Sequence, residues 1–268
     1  MRNIRKVALP ALLLWHGTAF GQTPETESLK VDLGIYFILN TSTALSYVSS
    51  KAVGVTIDSE RDLDWQTSLN VFRLDGKYRF TPSHSVDFSY YGFDRDGEVV
   101  LDQELTWGDQ VYPINANLDT RMSRETYRGS YNWSFHHDEK VELGLSLGLH
   151  VTQFSVDLEG TYNGAVVASN SNKLTAPLPV LGFVLNYAIT PALTWSNQFE
   201  LFYLSMSDST GSLTDLKSAL EYSFDKRWGA GLAVVSNRLK AEHTDSQDRT
   251  LYLDDHALGL NAYVTLRF

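Results

Sequence analysis

The sequence has 268 residues, no cysteine and a formal net charge of −10 at neutral pH. Without cysteine, a disulfide framework, a thiolate nucleophile and a zinc–thiolate site are all excluded. The excess of acidic residues also excludes a general basic field for binding nucleic acid or anionic lipid.

The first 21 residues have the composition of a secretory signal peptide. Three of the first six are basic, an apolar run spans Val7–Trp15, and positions 19–21 (Ala-Phe-Gly) place small residues at −3 and −1 of a cleavage site. The apolar run is about half of the ~20 residues that a membrane-spanning helix needs. We therefore expect cleavage and not an anchor, with a buried N-terminal helix as the alternative. Export would leave residues 22–268 as one domain with 19 basic and 32 acidic residues, a formal charge of −13.

In the remaining chain, apolar side chains recur at every second residue. From Leu29 to Leu39 the odd positions are apolar, whereas Lys30 and Asp32 lie between them. This period puts one face of a β-strand in an apolar environment and the other in a polar one. No apolar stretch after residue 22 has the length of a spanning helix, so a membrane form must be a closed barrel, in which every backbone group is paired. The pattern predicts ten strands, within residues 29–39, 72–80, 85–90, 127–135, 141–150, 181–189, 193–203, 215–224, 228–234 and 258–268.

The predicted connections alternate in length. Four are short, at residues 81–84, 136–140, 190–192 and 225–227, and those between them include long segments at 40–67, 93–122, 153–176 and 241–255. A soluble β-sandwich also has alternating strands. Short turns at one rim and long loops at the other are instead typical of outer-membrane barrels with an even strand count. We therefore predict an all-β fold: a closed antiparallel transmembrane barrel of ten strands, with short periplasmic turns and long extracellular loops.

Outward-facing aromatic residues crowd the strand ends beside the short turns. Such a girdle marks one membrane interface, here the periplasmic one. The girdle comprises Tyr78, Phe80, Trp133, Phe135, Tyr187, Trp195, Tyr222, Phe224, Trp228 and Phe268.

Two stretches resemble known outer-membrane proteins. The strand Leu258–Phe268, apolar at alternate positions and ending on a carboxy-terminal Phe, resembles the assembly signal of Gram-negative outer-membrane barrels. Phe72–Gly97, FRLDGKYRFTPSHSVDFSYYGFDRDG, resembles a widespread family of small proteobacterial outer-membrane barrels. No activity is established for that family, so the resemblance implies fold and location only. The resemblance of Leu258–Phe268 to an assembly signal implies that the barrel-assembly machinery recognises the last strand, with Phe268.

Charged residues of both signs have the parity of the lumen. Their similar numbers favour mutual pairing in a polar plug over a selectivity ring of one sign, and a narrow conduit for small solutes is the alternative. A ten-stranded barrel is only somewhat wider than the eight-stranded kind that side chains just fill. The predicted lumen network is Arg73, Asp75, Lys77, Arg79, Asp87, Arg128, Glu142, Glu200, Asp215, Lys217, Glu221 and Arg267.

Two acidic sites lie near the predicted outer mouth. Asp94 and Asp96 follow the third strand, and Asp254 and His256 precede the tenth. They are similar in composition to the Asp pair and the Asp–His pair of the omptins, ten-stranded outer-membrane proteases, in which such groups position and activate water. Residues 94–97 are equally a turn signal, since Asp-Gly favours a hairpin, and no other omptin signature is present. A surface protease or lipid-modifying hydrolase is thus a second alternative.

Further acidic residues cluster in the first and last outer loops. They form a solvated rim, or they bridge through divalent cations to the phosphates of lipopolysaccharide. These acids are Asp58, Glu60, Asp62 and Asp64, then Glu242, Asp245, Asp248, Asp254 and Asp255.

The remaining expectations concern function. The sequence predicts a monomeric, non-enzymatic barrel with a structural or surface-interaction role, in contact with outer-membrane lipid and lipopolysaccharide. It predicts no catalytic residue, cofactor or metal site and no nucleic-acid partner. His150, which lies within a strand and has lumen parity, is expected to be an interior residue with a hydrogen-bond partner.

Overall fold

The computed structural model describes residues 28–49, 52–107, 110–244 and 250–268. The predicted signal peptide lies outside these residues. The described chain is almost entirely β-structure, with one short helix, α1 (Ser59–Asp62). Its strands are β1 (Leu29–Ser49), β2 (Ala52–Asp58), β3 (Leu69–Thr81), β4 (His84–Val100), β5 (Leu105–Trp107), β6 (Gln110–Tyr112), β7 (Asn117–His137), β8 (Val141–Tyr162), β9 (Ala165–Thr190), β10 (Leu193–Met206), β11 (Ser209–Ser223), β12 (Trp228–Thr244) and β13 (Thr250–Arg267).

Ten of these strands form a closed antiparallel ring. Following the ring, the order is β13, β12, β11, β10, β9, β8, β7, β4, β3 and β1, and β1 pairs again with β13. The closing register runs from Lys30 opposite Arg267 to Val48 opposite Thr250. The predicted ten-stranded barrel is therefore confirmed. The short strand β2 pairs with β1 outside the ring, and β5 and β6 form a separate hairpin. None of the described helices is long and apolar enough to cross a membrane.

The two faces of the strands follow the predicted parity. On β8, Leu145 is 49% exposed while its neighbour Ser146 is 4% exposed. All ten residues of the aromatic girdle are exposed on the outer surface. An exposed apolar belt on a closed ring is what lipid requires, because the lipid-facing side chains then meet hydrocarbon and every ladder bond is internal.

The short connections and the described chain ends lie at one rim. The backbone N–H of Phe268 donates to the carbonyl of Leu29 at 2.8 Å, so the terminal residue closes the seam of the ring. In outer-membrane barrels the rim with short turns faces the periplasm. We call the opposite end of the strands the outer rim.

At the outer rim the strands run well beyond the expected bounds. β4 continues to Val100, so residues 94–97 are strand and not a turn. The segment 153–176, expected as a loop, is strand except for a two-residue turn at Asn163 and Gly164, whose φ angles are 53° and 77°. Positive φ at both residues is the type I′ hairpin geometry that Asn-Gly favours. Alternation missed these strand ends because their exterior face is polar, unlike the apolar exterior of the spanning parts, although the ladder continues.

Apolar side chains also fill the outer half of the lumen. Tyr36, Ile38, Phe93, Phe154 and Leu239 are buried there, together with residues of the connections. The sequence pattern assigned apolar residues to lipid, so it did not predict this inner apolar layer. It packs under residues 59–66, which we call the mouth segment, and under the β5–β6 hairpin.

Candidate functional site

The periplasmic half of the lumen contains dense ion pairing. Glu142 accepts from Arg79 at 2.8 Å and from the amide of Asn186 at 2.9 Å. Glu221 accepts from Lys30 at 2.5 Å and also from Arg267. These four strand-to-strand links occupy the space just inside the periplasmic rim.

A second group of charges lies around Asp75. Its two carboxylate oxygens accept from the guanidinium of Arg73, each at 2.9 Å, and the ammonium of Lys217 is 3.1 Å away. The Arg73 guanidinium also lies 5.1 Å from the ring centroid of Tyr91, which is within cation–π range. A buried carboxylate with two cationic neighbours has its desolvation cost offset by pairing.

Glu200 is the centre of a third group. Its carboxylate accepts two hydrogen bonds from Arg128, at 2.7 and 2.8 Å, and one from the hydroxyl of Ser130 at 2.9 Å. Nε2 of His150 lies 2.8 Å from the same carboxylate. His150 is thus an interior residue with a hydrogen-bond partner. The bidentate pairing of Arg128 with Glu200 is a stronger interaction than a single hydrogen bond between neutral groups.

Above these groups, Arg124 lies in the middle of the barrel. It donates to Asp255 and, at 2.5 Å, to Asn237. Asp255 also accepts from the hydroxyl of Thr43 at 2.8 Å. Asn237 in turn donates to Asp215 at 2.9 Å. These residues join β1, β7, β11, β12 and β13 across the lumen.

The mouth segment is held by Arg95. This fully buried side chain donates to Glu60, to the hydroxyl of Thr43 at 3.0 Å and to the carbonyl of Gln66 at 2.8 Å. Its guanidinium lies 5.1 Å from the ring of Trp65. Glu60, one of the predicted rim acids, therefore belongs to the interior. Arg95 and Arg124 were missed from the sequence because β4 and β7 were expected to end near the membrane, although strand parity gives both an inward direction.

All twelve predicted lumen residues face the interior. Nine are buried, and Lys77, Asp87 and Lys217 are half-buried around a cavity of about 160 Å³. The cavity extends to the turn residue Pro191 at the periplasmic rim. One buried carboxylate oxygen of Asp87, Oδ1, has no hydrogen-bond partner among the described residues.

The four residues of the predicted outer-mouth site do not come together. Asp94 and Asp96 lie on the exterior of β4, where Asp96 pairs with Arg121 at 2.8 Å. Asp254 on β13 pairs with Arg238 at 2.8 Å, and this pairing lowers the pKa of its carboxyl. Two strands, β3 and β1, separate β4 from β13, a distance of about 14 Å at the usual strand spacing. His256 therefore shares no water-activating site with the β4 acids.

The exterior of the outer strands carries an acidic groove instead. This groove, about 820 Å³, crosses β4, β7, β8 and β9, and Arg121 is the cation in it. Glu98, Asp119 and Glu159 lie directly opposite one another on neighbouring strands. Among the residues that the structure describes, no group of three or more potential ligands is arranged to hold a metal ion. The acids of the groove are Asp64, Asp96, Glu98, Asp119, Asp157 and Glu159.

Comparison with solved structures supports the closed-barrel fold. No protein-family model and no curated protein matches the sequence. Among solved structures, the outer-membrane protease OmpT from Escherichia coli matches with a TM-score of 0.56 at 9% identity, over 89% of this chain and 97% of that one. OprG from Pseudomonas aeruginosa matches with a TM-score of 0.42 at 10% identity, over 93% and 99%. Ail of Yersinia pestis matches with a TM-score of 0.34 at 12% identity, over 87% and 99%. The likeness to OmpT shows that this chain has the fold of an outer-membrane β-barrel.

Proposed function

We propose that the protein is a closed, non-conducting and non-enzymatic barrel that acts through the sheet exposed at its outer rim. The observation that carries the proposal is the filling of the lumen. Arg124 and Asp255 are both fully buried in mid-barrel, with ion pairs below them and the mouth segment above. Because these layers leave the interior occupied, the outer strands are the surface available to partners.

Conductance in planar lipid bilayers tests the closed lumen. The purified protein should give small or no steady currents, and bilayers treated with detergent alone provide the control. Swelling of protein-containing vesicles in small sugars should match that of empty vesicles. Large, stable single-channel steps would show that the lumen is open and that the barrel is a conduit.

The narrow conduit remains the second candidate because of the periplasmic cavity. The charged lining of this cavity includes Lys77 on β3 and Asp87 on β4, which lie opposite each other. If the barrel conducts, Asp87→Asn should shift the ratio of cation to anion permeability. The same substitution leaves a closed barrel without currents.

Assays for peptide and lipid cleavage, with variants of the predicted outer-mouth site, test whether the protein is an enzyme. Purified protein should cleave neither a panel of fluorogenic peptides nor acylated lipid substrates. Cleavage that disappears in both Asp96→Asn and His256→Ala would overturn the non-enzymatic assignment. Arg61→Gln, an exposed change elsewhere at the outer rim, serves as the matched control.

Export and assembly form part of the same proposal. We propose that residues 1–21 are removed on secretion and that a monomer inserts beside outer-membrane lipid and lipopolysaccharide. Deleting Phe268 should reduce the amount of folded protein in the outer-membrane fraction, because its backbone closes the seam with Leu29. Phe268→Tyr, which keeps the backbone and an aromatic ring, is the control. Mature protein found soluble in the periplasm would contradict the assignment.

A further inference from the structure

The outer part of β9 has a free edge. β9 pairs with β8 from Ala165 to Tyr187, but with β10 only from Leu181 to Thr190. Within the described part of the chain, no other strand pairs with the outer part of β9, residues 165–180. Between residues 165 and 175 nearly all side chains are exposed, on both faces of the strand. A strand edge of this length offers backbone donors and acceptors to an added strand.

The proline positions show which residues direct their backbone groups to this edge. Pro177 and Pro179 lie in the unpaired part of β9. Proline has no N–H and is accommodated where that group would point away from the ladder. Successive residues of a strand point their backbone groups to opposite sides. The residues that share the parity of the prolines therefore present N–H and C=O groups to the free edge, and above Pro177 these include Ser169, Ser171, Lys173 and Thr175. The prolines blunt the membrane-proximal end, and the stretch above them is open.

The acidic groove lies beside this edge on the same exterior face. In the register of β8 and β9, Asp157 is opposite Ser171 and Glu159 is opposite Ser169. The two serines are short, so basic side chains from a strand added at the edge reach over them to these carboxylates. The β5–β6 hairpin lies on the other face, where Tyr112 packs against Gly160.

We propose that the outer part of β9 binds an extended, basic polypeptide by β-strand addition, with alternate Lys or Arg side chains directed to Asp157 and Glu159. This inference rests on the proposed surface role and names its partner class. Charge complementarity favours this occupant over a second copy of the chain, because pairing two β9 edges would bring two acidic grooves together. Such strand addition supplies main-chain hydrogen bonds, and alternate side chains supply specificity.

The test measures binding of a fluorescein-labelled peptide of ten residues, alternating Lys and Val, to the full-length mature protein in lipid nanodiscs. Fluorescence anisotropy should show saturable binding, and the matched Glu–Val peptide should bind at least about tenfold more weakly. Ser171→Pro removes one edge N–H without removing a bond to β8, and should weaken binding about tenfold. Ser171→Ala, which keeps the N–H, should leave it unchanged.

The charge contribution has its own variant. Asp157→Asn combined with Glu159→Gln should weaken binding about tenfold and reduce its dependence on salt. This variant also keeps the test decisive if Ser171→Pro fails to fold, which the heat-dependent mobility of folded barrels on gels reports. Equal binding of the two peptides, or unchanged binding by the double variant, would overturn the proposal. Dimers that Ser171→Pro abolishes would assign the edge to a second copy and overturn it as well. Currents in planar bilayers test only the closed lumen, whereas peptide binding tests only the β9 edge. Failure of one proposal can therefore be distinguished from failure of the other.

Discussion

Arg124 on β7 and Asp255 on β13 form a fully buried ion pair in the middle of the barrel, although 131 residues separate them in the sequence. Around the ring, β7 and β13 are separated by at least three other strands, so the pair connects opposite parts of the wall. Arg124 also donates to the side-chain oxygen of Asn237, and Asp255 also accepts from the hydroxyl of Thr43. The pair therefore braces the barrel across its lumen.

Removing one member of this pair should destabilise the barrel. Arg124→Leu leaves the Asp255 carboxylate buried without its cation, and we expect a loss of about 3–5 kcal/mol in the free energy of unfolding. The double variant Arg124→Leu and Asp255→Leu should lose less than the two single variants together, since it leaves no unpaired charge. Urea titrations in lipid vesicles, followed by tryptophan fluorescence, measure both quantities. Strictly additive losses would show that the two groups do not interact.

Gly97 fixes the position of the mouth segment. A Cβ at this residue would lie 1.9 Å from the carbonyl oxygen of Leu63 and 2.8 Å from the ring of Trp65. Gly97→Ala should therefore displace the segment, exposing Trp65 and increasing cleavage by added protease between β2 and β3. Gly129→Ala is the matched control, because nothing lies within 4 Å of a Cβ there. Equal protease resistance in the two variants would show that the mouth segment adapts without moving.

The barrel and its inner face were predictable because both follow from parity. Once Leu145 is assigned to lipid, Ser146 must face inward, and the rule holds along each spanning strand. Pairing inside the lumen was not predictable, because Arg79 meets Glu142 from 63 residues away through ring closure and strand register. The outer strand ends were missed because their exterior face is polar and their apolar side chains lie on the inner face, the reverse of the spanning parts. A local turn signal, Asn163-Gly164, did mark the β8–β9 hairpin.

The exterior assignment of β8 can be tested at its membrane midpoint. Leu145→Arg places a charge in lipid and should cost about 2–4 kcal/mol. Leu145→Met is the control for changed shape and should cost much less. Ser146→Ala should also be mild, since the Ser146 hydroxyl contributes one long contact of 3.5 Å to Glu200. A larger side chain at position 146 should be destabilising, because Gly182 packs against the Ser146 hydroxyl and leaves no room for one. The measurement is reversible folding into vesicles, and a harmless Leu145→Arg would mean that this strand is inside out.

The periplasmic turn after β11 should have a stability contribution that depends on pH. The backbone N–H groups of Trp228 and Arg227 donate to the carboxylate of Asp225, both at 2.7 Å, and they hold the pKa of this carboxyl below its ordinary value. A carboxyl whose pKa is lower in the folded state stabilises that state above its unfolded pKa of about 3.9, and the contribution is lost as the pH falls through the lower folded pKa. Asp225→Ala should therefore unfold more readily than the wild type at pH 7, and the difference should shrink below about pH 4. Asp225→Asn keeps an acceptor but does not titrate. Its free energy of unfolding should therefore differ from that of Asp225→Ala by the same amount at pH 7 and at about pH 2.5. A difference between wild type and Asp225→Ala that is unchanged between pH 7 and pH 2.5 would show that the charge of Asp225 does not stabilise the turn.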